Sequence, residues 1–163
     1  MQSHRYAAAT LAAAVLGLAA VAYHANAGDA AKARDSIARG RYLVKIAGCN
    51  DCHTAGYAQS GGAVPEAEWL EGDAVGWNGA WGTTYPANLR LVLGKMSEDQ
   101  WIHVAKTAKY RPPMPWFALH DMSEADLRAL YRYVRSLGPA GKPAPAYLPP
   151  GAKPSGPVIA FPR

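Results

Sequence analysis

The sequence predicts an all-α domain of three to five helices, with a loop-rich middle and a proline-rich C-terminal tail. Two serines, Ser97 and Ser123, begin helix-capping patterns that are followed by amphipathic repeats. A third helical pattern ends at Gly48, and no segment shows convincing strand alternation. The length of 163 residues fits one domain with appendages.

The first 27 residues have the pattern of a secretory signal peptide. A short positive stretch is followed by the uncharged, Ala-rich run Tyr6–Tyr23, and Ala25-Asn26-Ala27 is a small-x-small cleavage pattern. We expect cleavage after Ala27 and export to the periplasm. The alternative is an uncleaved membrane anchor, because an apolar run of about 18 residues is at the lower limit for crossing a bilayer.

The first helix of the mature chain is expected over Asp35–Ala47, with Gly48 in the C-cap position. The apolar residues available for its buried face are Ile37, Tyr42, Val44 and Ile46. From Thr54 to Gly94 the chain contains eight glycines and few periodic segments. This composition predicts loops with short turns of helix.

Two later helices are predicted, one from Ser97 through about Lys109 and one from Ser123 to Leu137. Gly138-Pro139 ends the second helix. The apolar residues that recur at helical spacing are Trp101, Val104 and Ala105 in the first, and Leu127, Leu130, Tyr131, Val134 and Leu137 in the second.

The C-terminal residues 139–163 contain eight prolines in 25 residues. Such a segment favours extended polyproline II structure. It is predicted to be either a strap that lies on the domain or a semi-rigid spacer. The side chains available for docking are Tyr147, Leu148, Val158, Ile159 and Phe161. The sequence therefore divides into a signal peptide (1–27), a folded domain (28–138) and an extended tail (139–163).

Charge and cysteine count exclude several classes of protein. Lys and Arg total 17 against 12 acidic residues, and removal of residues 1–27 takes away one Arg, which leaves 16 minus 12, or +4. The basic residues are scattered, and export would remove nucleic acid as a partner. Two cysteines are too few for a disulfide scaffold or a four-thiolate zinc site.

Both cysteines lie in Cys49-Asn50-Asp51-Cys52-His53, a C-x-x-C-H sequence. Two thiols at this spacing can form thioethers with the two vinyl groups of a haem, and the adjacent histidine can bind the iron. The alternatives are a redox-active disulfide and a chance occurrence. Predicted export, the preceding helix and the absence of other cysteines favour covalent attachment of haem c at Cys49 and Cys52, with His53 as an iron ligand.

The second axial ligand is predicted to be Met114, in Arg111-Pro112-Pro113-Met114-Pro115-Trp116. The flanking prolines exclude regular helix and predict a stiff loop, and a thioether suits iron that alternates between ferrous and ferric states. The alternative is that Met114 only packs. Other residues able to bind iron are Met96, Met122, His103 and His120, of which His120, in the connection after the loop, is the reserve candidate.

The segment from about Ser36 to Leu137 resembles a class I c-type cytochrome domain. A first helix leads into C-x-x-C-H, a loop-rich middle follows, and a Met-bearing loop precedes a last helix. Two stretches, Trp81–Asn88 and Pro113–Trp116, are similar to the cytochrome modules of membrane-bound alcohol and sugar-acid dehydrogenases. Those relatives often have three such domains, whereas this chain has one.

The resemblance implies further contacts. Gly40 and Tyr42 on the first helix would face the last helix at Leu130, Tyr131 and Val134, and the carbonyl of Pro65 would accept a hydrogen bond from the His53 ring. Residues that would cover the porphyrin or bind its propionates are Trp77, Trp81, Tyr85, Asn88, Arg90 and Arg111. The alternative for each is ordinary loop packing or, for Arg111, exposure to solvent.

With His53 and Met114 both on the iron, no coordination position would remain for a substrate, so we expect an electron carrier and not an enzyme. Its partners would be periplasmic or membrane-bound redox proteins, namely a dehydrogenase and a terminal oxidase or reductase. Membrane association is expected only if the N-terminal segment is uncleaved. The alternatives are an electron-transfer subunit bound to a dehydrogenase or oxidase, and a ligand-binding haem sensor.

Overall fold

The computed structural model describes residues 29–162. The predicted signal peptide, residues 1–27, lies outside them. The chain from Ser36 onward forms one compact unit, which contains every element from the middle of the first helix to the end of the described residues. Among the described residues, no helix is both long enough and apolar enough to cross a membrane.

The described part of helix α1 covers residues 29–46 and so includes six residues before the predicted start at Asp35. The added turns consist of strong helix formers, chiefly alanine, that show no burial pattern. The buried residues of α1 include Leu43 and Val44, whereas Tyr42 and Ile46 are 51% and 60% exposed. The prediction that Tyr42 and Ile46 line the buried face is therefore wrong, because the core stripe runs through Gly40 and Leu43.

Helix α2, Cys49–His53, follows α1 almost directly. Gly48 lies between them with a φ of 69°, as a C-cap glycine does. The last helix, α6, spans Glu124–Ser136 and crosses α1, where Gly40 contacts Ala129 and Tyr133. The predicted helix crossing is present at Gly40, whereas Tyr42 is exposed. The nearest neighbours of Gly40 on α6 are Ala129 and Tyr133, in place of the predicted Leu130, Tyr131 and Val134.

The middle of the chain contains elements that the sequence did not reveal. After a 3-10 turn at Glu66–Glu68 come strand β1, Gly76–Gly79, and strand β2, Gly82–Thr84, which pair in antiparallel fashion. Helix α3, Leu89–Gly94, follows. The expectation of short helical turns is met by α3, but the expectation that no strand would form is wrong.

Helix α4 spans Glu98–Thr107 and begins with the predicted capping box. The Ser97 hydroxyl accepts from the Gln100 backbone N–H, and the Gln100 side chain accepts from the Ser97 N–H. A non-helical segment, residues 108–115, which we call the Met114 loop, leads into helix α5, Trp116–Asp121. His120 therefore lies in a helix and not in a connection.

Residues 139–162, which we call the strap, lie along the domain. Strand β3, Val158–Ala160, pairs in parallel with β1 and gives a three-stranded sheet of order β2-β1-β3. Leu148 and Thr83 exchange both backbone hydrogen bonds, at 2.8 and 3.0 Å. The sequence left open whether this proline-rich segment is a strap on the domain or a semi-rigid spacer, and the structure shows the strap.

One apolar core connects the helices. Its buried members come from α1, the middle of the chain, α3, α4, α5 and α6, and they include Val44, Leu70, Leu93, Trp101, Leu127 and Val134. Within it, the indole N–H of Trp101 donates to the Leu127 carbonyl at 2.9 Å. Residues 29–162 contain six α-helices, one more than the upper limit predicted from the sequence.

Candidate functional site

A cavity of about 360 Å³ lies beside the core and is lined mainly by apolar side chains. Its volume is within the range of small-molecule and cofactor sites. Cys49, Cys52, His53 and Met114 all line it. The structure therefore brings together the four residues that the sequence predicted to hold a haem, although they are separated by up to 65 positions in the chain.

Helix α2 places both cysteines on one helical turn that begins directly after Gly48. Burial raises the pKa of the Cys49 thiol to about 11, and burial also raises the pKa of Cys52. Redox-active C-x-x-C thiols have a lowered pKa, so this environment does not resemble a dithiol active site. Nor do the described residues contain a cluster of three or more His, Cys, Asp or Glu side chains able to hold a bare metal ion.

The imidazole of His53 is oriented by a backbone carbonyl. Its Nδ1 donates to the Ala87 oxygen at 2.7 Å; because a carbonyl can only accept, the proton lies on Nδ1. Nε2 is then unprotonated, and its lone pair is available to bind a metal. Burial lowers the pKa of this imidazole, against the opposing effect of the Ala87 bond. The prediction that the Pro65 carbonyl accepts the hydrogen bond from the His53 ring is therefore wrong.

A close backbone contact explains why Ala87 is near His53. The N–H of Gly72 donates to the His53 carbonyl at 2.7 Å. Gly72 has a φ of 82°, and a Cβ there would lie 2.8 Å from the Pro86 oxygen. Glycine is thus required both by the left-handed backbone and by the approach of the Pro86–Asn88 segment.

The Met114 loop is non-helical, as its prolines predict, and Pro113 and Pro115 line the cavity on either side of Met114. The hydroxyl of Thr84 in β2 donates to the Pro112 carbonyl at 2.7 Å and joins the loop to the sheet. Met96 and Met122 also line the cavity, whereas His103 and the reserve candidate, His120, do not. His120 instead contacts the Ala108 carbonyl through Nε2, at 3.0 Å.

Three of the predicted pocket residues line the cavity, namely Trp77, Tyr85 and Arg111. Trp77 lies in β1, and Tyr85 comes directly after β2, so the small sheet forms one wall. Arg111 is exposed, and its guanidinium lies 3.8 Å from the centre of the Tyr147 ring. Arg111 thus places a positive charge at the margin of the cavity.

The other three predicted pocket residues, Trp81, Asn88 and Arg90, do not line the cavity. Asn88 caps α3, since its Oδ1 accepts from the Leu91 N–H at 3.0 Å. Arg90 donates to the Gly138 and Ala67 carbonyls and pairs with Glu71. Trp81 packs against Phe161 and Gly79, and its indole N–H is buried with no acceptor among the described residues.

Sequence reasoning missed several residues of the site. Ala87 contributes only a backbone carbonyl, which leaves no signal in the side-chain sequence. Pro145 and Tyr147 line the cavity from the strap, more than 30 positions after Met114. The sequence did predict that Tyr147 could dock on the domain, because it is an aromatic residue in a proline-rich segment. It gave no indication that Tyr147 lines the cavity.

The family model for cytochrome c matches residues 37–138. Because this match covers more than half of the chain, the chain belongs to the cytochrome c family. No curated protein and no solved structure matches it significantly. Membership makes the chain a haem c electron-transfer protein, in which the iron-containing haem is covalently attached to the protein.

The cavity fits that group. The only two cysteines of the chain, Cys49 and Cys52, face it from one helical turn. The tautomer of His53 leaves Nε2 for the iron, and the lining is mainly apolar, as a porphyrin requires. The strap lies outside the matched residues and is an addition to the family domain.

Proposed function

We propose that this chain is an exported single-electron carrier whose haem iron is ligated by His53 and Met114. The observation that supports the proposal is the convergence of Cys49, Cys52, His53 and Met114 on one apolar cavity. When bound, haem supplies the ferric–ferrous couple that takes up and releases one electron. The protein attaches it, orients its ligands and excludes water.

Each ligand is held by the chain in a defined way. The carbonyl of Ala87 fixes the ring of His53, and hydrogen bonding of this kind also raises the basicity of the ligating nitrogen. Pro113 and Pro115 restrict the backbone on both sides of Met114, so little entropy is lost when its sulfur is ordered. If His53 and Met114 both held the iron, no coordination position would remain for a substrate, which favours electron transfer over catalysis.

Electrons would enter where the cavity meets solvent. Val92 and Tyr110 both line the cavity, yet they are 37% and 41% exposed. Phe117 in α5 is 60% exposed, and the basic residues Lys109 and Arg111 flank Tyr110. A small apolar surface with a positive margin suits the brief, low-area complexes of redox proteins.

We infer that the donor is a membrane-bound dehydrogenase for alcohols or sugar acids and that the acceptor is a terminal oxidase or reductase. This inference rests on the similarity of Trp81–Asn88 and Pro113–Trp116 to cytochrome modules of such dehydrogenases. The strap pairs with its own domain, so we favour a diffusing carrier over a subunit attached by its tail. Sequencing the mature N-terminus tests export: a start at Gly28 supports it, and a start at Met1 indicates an anchor.

The deciding experiment is Met114→Leu in the haem-loaded protein. Loss of the thioether should abolish the ferric Met-to-iron absorption band and open the sixth position to carbon monoxide in the reduced protein. The reduction potential should fall by about 60 mV or more, which is a tenfold or larger change for a one-electron couple. The haem should remain covalently attached, because the cysteines are unchanged.

The matched controls are Met96→Leu and Met122→Leu, since both of these methionines line the same cavity. Each should retain the Met-to-iron band, with carbon monoxide binding as slow as in the wild type. If either control lost the band while Met114→Leu retained it, the methionine replaced in that control would be the iron ligand. Rapid carbon monoxide binding by the wild-type protein would instead indicate a ligand-binding haem protein.

A further inference from the structure

We propose that the strap positions the Met114 loop and keeps Met114 on the iron. The proposal rests on the proposed ligation by Met114, and it gives residues outside the family match a part in holding the loop, in addition to the contacts that the domain itself makes. Tyr147 and Arg111 are the positioning residues. They act on the loop that holds the ligand and not on the reacting atoms.

The strap is attached to the domain along most of its length. Near its start, the side-chain amide of Asn88 donates to the Ala140 and Lys142 carbonyls at 2.8 and 3.2 Å. Near its end, Gly76 N–H donates to the Pro157 carbonyl at 2.9 Å, and β3 pairs with β1. A segment with so many prolines could not hold this course through its own hydrogen bonds, so the domain determines its path.

The middle of the strap approaches β2 closely. Gly82 has a φ of 98°, and a Cβ at this position would lie 2.2 Å from the Leu148 oxygen and 3.0 Å from the Tyr147 hydroxyl. That hydroxyl donates to the Trp81 carbonyl at 2.8 Å. The Tyr147 ring is therefore held on two sides, by its own hydroxyl and by the Leu148–Thr83 backbone pair next to it.

The Tyr147 ring also contacts the Met114 loop. The guanidinium of Arg111 lies 3.8 Å from the ring centre, a distance at which a cation is attracted to the π face. Arg111 precedes Met114 by three residues, and Pro112, between them, accepts the hydrogen bond from Thr84. One face of the loop is thus joined to the strap and to the strand that the strap covers.

These contacts stabilise the arrangement in which the loop is closed over the cavity. Tyr147 and Pro145 line the same cavity as Met114, so the strap also occupies space that water or a foreign ligand would otherwise reach. An added ligand must displace Met114 and move its loop. Contacts made only in the closed arrangement therefore weaken the binding of that ligand.

The test is a titration of the ferric, haem-loaded protein with imidazole, which competes with Met114 for the iron. Tyr147→Ala should raise the apparent affinity for imidazole about two- to fivefold, as loss of an exposed cation–π contact predicts. A chain that stops after Lys142 keeps both contacts to Asn88 and loses Tyr147 and β3. It should raise the affinity about tenfold or more. Amide hydrogen exchange should become faster in both variants at Arg111, Met114 and Trp116, the residues of this stretch that carry a backbone N–H.

Leu148→Ala is the matched control. Leu148 is the neighbour of Tyr147 in the strap, does not line the cavity, and would keep its backbone pairing with Thr83. Because side chains alternate along an extended segment, its side chain points away from that of Tyr147. This variant should lower the free energy of unfolding while its imidazole affinity stays within about twofold of the wild type.

Unchanged imidazole affinity and loop exchange in both Tyr147→Ala and the shortened chain would overturn the proposal. Equal increases in Tyr147→Ala and Leu148→Ala would also overturn it, because the strap would then act through stability alone. If Met114 is not the iron ligand, a different experiment shows it, because Met114→Leu would then leave the Met-to-iron band in place.

Discussion

Gly40 lies against the carbonyl of Ala129 so closely that a Cβ on Gly40 would be 2.0 Å from the carbonyl oxygen. The same Cβ would be 2.6 Å from Cβ of Tyr133. Helices α1 and α6 therefore cross with their backbones almost in contact, as only glycine allows. Because α2 follows α1 after a two-residue turn, this crossing also determines where Cys49 and Cys52 lie.

Gly40→Ala should destabilise the folded protein by about 3 kcal/mol, since neither backbone can move aside without disturbing the core. Urea unfolding of the haem-loaded protein measures the effect. Gly94→Ala is the control, because the nearest atom to its added Cβ is the end of the Arg135 side chain, at 3.5 Å. It should change stability by less than about 1 kcal/mol. Equal effects of the two substitutions would show that the crossing is looser than the structure indicates.

Local signals in the sequence were enough to predict helices α4 and α6, but not α5. Ser97 and Ser123 begin α4 and α6 because each side chain accepts from a backbone N–H three residues later. The sheet could not be predicted in this way. Strand β1 is four residues long, two of them glycine, and its parallel partner β3 lies about 80 positions further along the chain. Pairing over such a separation depends on the fold and leaves no periodic pattern.

The candidate site was predictable to the extent that side-chain chemistry determines which residues meet at the cavity. Cys49, Cys52 and His53 form a motif, and prolines identify the Met114 loop. The acceptor for His53 was not predictable, since any backbone carbonyl can fill that role. Asn88 was misassigned because an amide next to a predicted pocket serves equally well as a helix cap, and only the tertiary structure separates the two roles.

Asn88 should affect stability and leave the haem unchanged. Asn88→Ala removes the cap of α3 and both donors to the strap, from a side chain that is only 2% exposed, and should cost about 2–3 kcal/mol. Asn88→Ser retains a capping oxygen and should cost about half as much. Thermal unfolding and haem absorption spectra measure both effects. A changed haem spectrum in Asn88→Ser would show that Asn88 contacts the haem, as the sequence predicted.

Glu98 joins α4 to α6 and should make the stability of the protein depend on pH. Its carboxylate receives hydrogen bonds from Arg132 at 3.0 Å and from Arg128 at 2.9 Å. Burial acts to raise the pKa of Glu98, but these two guanidinium groups outweigh it and lower the pKa below the ordinary value of 4.5. The carboxylate is thus easier to protonate in the unfolded chain than in the folded protein.

Because its pKa is lower in the folded state, Glu98 contributes stability at pH values above 4.5, and this contribution is lost as the pH falls through the folded pKa. Glu98→Gln should lower the free energy of unfolding by about 0.5–1 kcal/mol at neutral pH, with a smaller difference from the wild type at about pH 3. Urea titrations across that range test it. Asp99→Asn is the matched control, since Asp99 also pairs with Arg128 but is 83% exposed. A loss in Asp99→Asn equal to that in Glu98→Gln would mean that the burial of Glu98 between two arginines adds nothing.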